Sequence, residues 1–228
     1  MSAHQMQLPR HHLPLDLYWG RTEESRMHPS LWLFLPLVAL ALLAFALFVF
    51  LFYKVLSFSF RRMGIPRHLV VPSFIAILIG GFFNIPLWHS GGTTVAVNVG
   101  GAIVPLLISA YLLRKAPLIK TALTVAVVAT VAGLLADVDT RGIALHYGFL
   151  ILPATAVSVA LLLTGRKAPQ VAFIAGTLGA VIGVDLVHLS EFVNLGGGSI
   201  SIGGRGVFDG VFTTGIIAAV LAGAIPAL

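Results

Sequence analysis

Asp185 and Asp209 stand in stretches that are otherwise almost wholly apolar. A carboxylate facing lipid costs roughly 2.5 kcal/mol or more, so both are expected to turn toward a bundle interior or a wet cavity. If they meet there, two close carboxylates in a poor dielectric cannot both ionise cheaply. They would share one proton, the arrangement that lets an acid/base pair activate water. His188 lies at i, i+3 from Asp185 and Thr213 at i, i+4 from Asp209, so each pair shares a helix face. Asn84, Asn98, Asp137 and Asp139 are further amides and acids in or beside apolar runs. Each has a plainer alternative. Asn84 beside Pro86, and Asn98 beside Gly100 and Gly101, could simply satisfy backbone groups freed within their helices. Asp137 and Asp139 border a loop at a spacing of two, which shares no helix face. His188 and Glu191 could be interfacial residues as readily as a metal or proton-transfer site. These residues single out no metal ligand set and identify no cofactor, and the absence of cysteine excludes thiolate chemistry.

The elements that must position these residues follow from composition. Hydrophobic residues make up 58% of the 228, charged residues only 10%, and the mean hydropathy is +1.00. Soluble domains carry roughly 25% charge, so the natural solvent for this surface is lipid. Residues 1–30 are polar, with prolines, histidines and mixed charges, and are expected to form an N-terminal tail. His4, His11 and His12 belong to that solvated tail. Residues 31–228 form the expected transmembrane domain, with apolar runs over about 31–52, 69–88, 95–113, 118–136, 145–163, 171–188 and 207–227. Continuous runs of nearly 20 residues predict spanning helices rather than the alternating segments of about 10 residues found in a barrel. The expected fold is all-α, a polytopic bundle of about seven transmembrane helices.

The net charge of +6 does not imply nucleic acid, because Lys and Arg fall in short clusters between apolar runs. Lys54, Arg61, Arg62, Arg67, Arg114, Lys115, Lys120, Arg166 and Lys167 occupy alternate loops, while the other loops hold only Arg141 and Arg205. By the positive-inside rule the N-terminus is expected outside and the C-terminus in the cytoplasm. On this topology the embedded polar residues share a depth. Asn84 falls about 22 Å and Asp185 about 21 Å from the inner ends of their spans at 1.5 Å per residue. Asn98 and Asp209 open the third and seventh spans, and Asp137 and Asp139 end the fourth. Asp185, Asp209, Asn84, Asn98, Asp139 and His188 are therefore expected to line one outward-facing pocket. Over it would lie the glycine-rich connection 194–206, able to present backbone amides or to close as a lid. It is no phosphate loop, since neither a lysine follows nor a strand precedes its glycines.

The stretches Gly80-Gly-Phe-Phe-Asn84-Ile-Pro86, Asn98-Val-Gly-Gly-Ala-Ile-Val-Pro105, Gly183-Val-Asp185 and Gly206-Val-Phe-Asp209-Gly210 resemble a family of uncharacterised polytopic membrane proteins from bacteria and archaea, known only as a domain of unknown function. The resemblance covers about residues 65–228 and implies a prokaryotic membrane setting without an activity. A narrower likeness is to the intramembrane aspartyl proteases, which pair aspartates on consecutive helices and carry a Pro-Ala-Leu motif. Here Arg205-Gly-Val-Phe-Asp209 departs from their Gly-x-Gly-Asp, and Pro226-Ala-Leu228 falls at the opposite surface from the acids.

Three functions compete on these residues. The leading expectation is an accessory or assembly subunit that binds a membrane-protein partner at the outer face, aided by the tail. The second is an aspartate-dependent intramembrane hydrolase using Asp185 and Asp209. The third is an ion or small-solute transporter, although transporter sites usually lie nearer the midplane between inverted repeats.

Overall fold

The computed structural model describes residues 29–90, 92–139, 142–145, 148–196, 198–204 and 210–225. It divides into two compact units, residues 1–49 and 50–228. Residues 1–28 of the expected tail, Asp209 and Leu228 lie outside the described residues, and Pro29 and Ser30, expected in the tail, begin a helix instead.

In the first unit the described residues form one helix, the beginning of α1 (Pro29–Met63). Leucine, phenylalanine and alanine fill it, and its side chains from Phe34 to Leu47 are exposed.

The second unit is mostly helical. After the end of α1 come α2 (Val70–Gly80), α3 (Val104–Leu113), α4 (Leu118–Leu135), α5 (Gly148–Thr164), α6 (Ala168–Ala180), the short α7 (Leu189–Asn194) and α8 (Gly210–Ala224). Helix α6 is central, buried without a break from Ala168 to Thr177. Small residues let its neighbours approach. Gly176 lies against the backbone of Gly215 on α8, Gly179 against Val128 on α4, and Gly183 against the carbonyl of Ala129. Such small-residue seams replace the hydrophobic drive that helices lack between one another in lipid. Phe60, Phe173 and Phe212 are fully buried, in one cluster that joins the end of α1 to α6 and α8. Apolar residues on the outer faces are open, including Leu107, Ile119, Leu134, Phe149 and Leu162, each exposed by 60% or more. Lipid is the solvent that covers a surface of this kind.

The all-α expectation is corrected at two spans. The run 69–88 is helical only through α2, which ends at Gly80, and residues Asn84–Ser90 form strand β1. The run 95–113 begins as strand β2 (Thr93–Asn98) and becomes helical only after it. These strands pair antiparallel as a hairpin, and β2 pairs in parallel with β5 (Ser199–Ile202), giving the order β1-β2-β5. A two-stranded ribbon joins β3 (Ala136–Asp139) to β4 (Gly142–Leu145). The cause is local. Thr93-Thr-Val-Ala-Val is rich in β-branched residues, and Gly92 turns the chain at φ 82. Hydropathy counts these residues as apolar without distinguishing helix from strand.

Among the described residues three helices are long and apolar enough to cross a membrane: Phe34–Met63, Leu118–Leu135 and the continuous run Phe149–Asn194, which takes in α5, α6 and α7. Helix α2, at 11 residues, reaches only about 16 Å.

Two ends of the second unit differ in chemistry. At one end Arg62 lies against Gly223 near the close of α8 and shares a cavity of about 350 Å³ with Arg166. Gln170 Nε2 donates to the Met63 carbonyl at 2.7 Å, fixing the start of α6 to the close of α1. The sheet occupies the other end.

Candidate functional site

Asn98 is the centre of the sheet end. Its residue surface is fully buried, yet both ends of its amide are occupied. Nδ2 donates to the Gly81 carbonyl and to Asn84 Oδ1, each at 3.0 Å, and Oδ1 accepts the backbone N–H of Gly101 at 2.6 Å. Asn98 has extended backbone angles and thus caps the five-residue π-helical segment Val99–Ile103 that leads into α3. Strand β2, π-segment and α2 are therefore fastened by a single amide. The expectation that Asn98 only satisfies freed backbone groups holds in part, since it also binds Asn84.

Asn84 begins β1 and is exposed. Its Oδ1 takes a second hydrogen bond, from Ser201 Oγ at 2.7 Å. With that oxygen filled, Asn84 Nδ2 has no partner among the described residues. The expected depth of Asn84 along a helix is corrected, because α2 has ended four residues earlier.

Asp185 lies in a second π-helical segment, Val181–Leu186, that continues α6. It is half-buried, and its Oδ2 accepts the backbone N–H of Gly203 at 2.9 Å. Gly203 has φ +76, and its carbonyl occupies the place that a Cβ on Gly101 would need. No side chain larger than hydrogen fits at Gly101 without moving that strand end. Two hydrogen-bonded chains, Asp185–Gly203 and Gly101–Asn98–Asn84–Ser201, meet where Gly203 packs on Gly101, and together they secure β5 to both π-segments. Irregular helix of this kind survives at membrane depth only where it is buried in protein or lines a cavity.

The glycine-rich connection consequently has a different form from the expected loop or lid, since residues 199–202 are a strand of the sheet. His188 is half-buried and turns elsewhere: its Nδ1 lies 3.2 Å from the Gly183 carbonyl and 3.3 Å from that of Val184. Two carbonyl acceptors require Nδ1 to carry the proton. The i, i+3 face expected for Asp185 and His188 is displaced by the π geometry, and no hydrogen bond joins them. Asp137 is exposed in β3, and Asp139 ends the same strand. The helix-end argument for these two is corrected, because α4 closes at Leu135. Asp209 lies outside the described residues, so its separation from Asp185 is not part of the geometry. Among the described residues no group of three or more His, Asp and Glu side chains is arranged to hold a metal.

The sequence reading missed the sheet's polar face. Strand alternation puts Asn84, Pro86, Thr94, Ala96, Ser199 and Ser201 on one side, where with Gly81, Phe82 and Ile200 they line a cavity of about 570 Å³. Val95 and Ile202, on the opposite side, are buried in the core. None of the described residues lining the cavity is charged. It offers amide and hydroxyl groups beside apolar walls, which suits recognition of neutral polar groups. The signal lay in Ser199-Ile-Ser-Ile202, a strict alternation of period two.

A family model described as "Protein of unknown function (DUF1614)" matches residues 81–221, from the end of α2 through most of α8. No curated protein and no solved structure matches the chain.

Proposed function

Since the chain belongs to the DUF1614 family of proteins of unknown function, its own site must carry the reading, and we propose that it is an accessory or assembly subunit of a membrane complex. The partner is a membrane protein that docks a neutral, amide-bearing segment on the polar face of the sheet. One observation carries this. The cavity beside Asn84 presents an unpaired amide donor and the hydroxyls of Thr94, Ser199 and Ser201, with no charge among its described lining residues. Asp185 accepts the Gly203 N–H, and His188 Nδ1 faces two carbonyls of the π-segment, so both side chains take part in holding the fold.

The subunit crosses the cell inner membrane about seven times, N-terminus outside and C-terminus cytoplasmic. The shorter helices α2 and α3 complete their crossings with the hairpin and the π-segment Val99–Ile103, so that the hairpin sits at the outer interface. Exposed Phe82, Phe83 and Trp88 suit that level, where aromatic side chains favour the headgroups. The basic loops of the opposite end then face the cytoplasm.

A photo-crosslinking residue placed at Ser199 or Thr94 in native membranes tests the docking. It should yield one adduct with a defined membrane protein, absent when the same group replaces lipid-facing Leu162. Filling the groove by Ala96→Trp should abolish both the adduct and co-purification in mild detergent. A protein that purifies alone, gives no adduct from the groove and is indifferent to Ala96→Trp would overturn the proposal.

A further inference from the structure

The second unit holds a cationic cleft that the sheet-end reading does not use. Tyr53, Lys54, Ser57 and Arg61 on α1 face Arg67 and Val70 at the start of α2 across a space of about 300 Å³. Tyr53, Ser57 and Arg61 recur every four residues and so form a single stripe. Three cations thus converge on one space. Neither Lys54, Arg61 nor Arg67 has a carboxylate partner among the described residues. The described acids, Asp137, Asp139, Asp185 and Glu191, belong to the strands, π-segment and short helix of the opposite end. Among the described residues no carboxylate supplies a counter-charge to this cleft.

The walls are prearranged. Tyr53 packs edge-on against Phe74 with centroids 5.9 Å apart, and Lys54 Nζ sits 5.5 Å above the Phe50 ring. Ser57 Oγ is buried without a hydrogen-bond partner, leaving a donor unmet at the cleft. Three cationic side chains and a hydroxyl donor match the several acceptor oxygens of a phosphate group.

We propose that this cleft binds the phosphate headgroup of an anionic phospholipid. Its setting selects lipid over a soluble phosphate. Lys54 and Arg61 are separated by seven residues, so the charges spread over about 10 Å along α1, comparable with a headgroup layer. Phe50, Leu51 and Val55 beside Lys54 are exposed, as are Val71, Ile75 and Ile79, which recur every four residues along α2. Those side chains offer the acyl tails an apolar surface directly below the charges. The cleft precedes the 81–221 segment that carries the family match, so the inference stands apart from the reading of the sheet end.

Native mass spectrometry of the full chain, released from nanodiscs of mixed phosphatidylglycerol and phosphatidylcholine, tests it. The parent should retain one phosphatidylglycerol. Lys54→Gln, Arg61→Gln and Arg67→Gln together should cut that retention by about tenfold or more. The charge-matched control Arg114→Gln, Lys115→Gln and Lys120→Gln should keep it. Equal losses in both variants would mean diffuse attraction and overturn the site. Displacement of the lipid by millimolar inorganic phosphate would overturn the choice of lipid. If the triple variant does not fold, Ser57→Trp fills the cleft with every charge in place, and undiminished retention in that variant would overturn the proposal equally.

Discussion

Asn98 concentrates more structural consequence than any other side chain described. Three hydrogen bonds converge on a buried amide, so Asn98→Ala leaves the Gly101 N–H unmet and loosens Asn84 together. Loss of a cap and exposure of buried unpaired groups costs about 2 kcal/mol. The thermal midpoint in detergent should fall by several degrees, and a midpoint equal to that of the parent would contradict the role assigned. Asp185 invites the opposite test. Asp185→Asn keeps an acceptor for the Gly203 N–H and should fold as the parent does, whereas Asp185→Leu strands that donor and should lose about 1–3 kcal/mol. The hydrolase alternative makes a different demand on the first variant, namely loss of turnover at unchanged stability. Assays of stability and peptide cleavage on the one protein separate the two roles.

At the level of elements, the sheet distinguishes this molecule from a plain bundle of straight helices. Its chain carries no cysteine, which makes pairing directly testable. Ala96 and Ser201 are register partners of β2 and β5, and paired strands bring Cα atoms within disulfide reach. Ala96→Cys with Ser201→Cys should therefore crosslink readily on mild oxidation. The off-register pair Thr94→Cys with Ser201→Cys should crosslink far less, and equal yields would refute the register. The signals for these strands were present in the sequence: β-branched Thr93-Thr-Val, a glycine turn, and alternation in Ser199-Ile-Ser-Ile202. They were outweighed because a hydropathy window sums apolar character and is blind to its period. The π-segments had no such signal, since the widened turn that carries Asp185 is set by contact with α4 and β5 rather than by its residues alone.

For the whole molecule, the proposed sidedness has a simple check. A periplasm-active reporter fused at Gly196 should be active and one at Arg166 inactive, and the reverse pattern would invert the sidedness. The membrane character was legible from the sequence by itself, because burying so apolar a surface in water is prohibitive and every long run points to the same solvent. The structure joins Asn98 to Asn84 and Gly101, and Asp185 to the Gly203 N–H. What the residues could not reveal was what they do there. A buried amide reads the same whether it waits for a ligand or ties two strands, and only the partners within about 3 Å decide between these. Tertiary structure also decided which polar groups remain available: Thr94, Ser199 and Ser201, unremarkable along the chain, face a common cavity because three strands distant in sequence pair in register. Hydropathy is a sum over neighbours in sequence and survives without a fold, whereas a site is a relation between residues more than 100 positions apart and exists only once the chain has closed on itself.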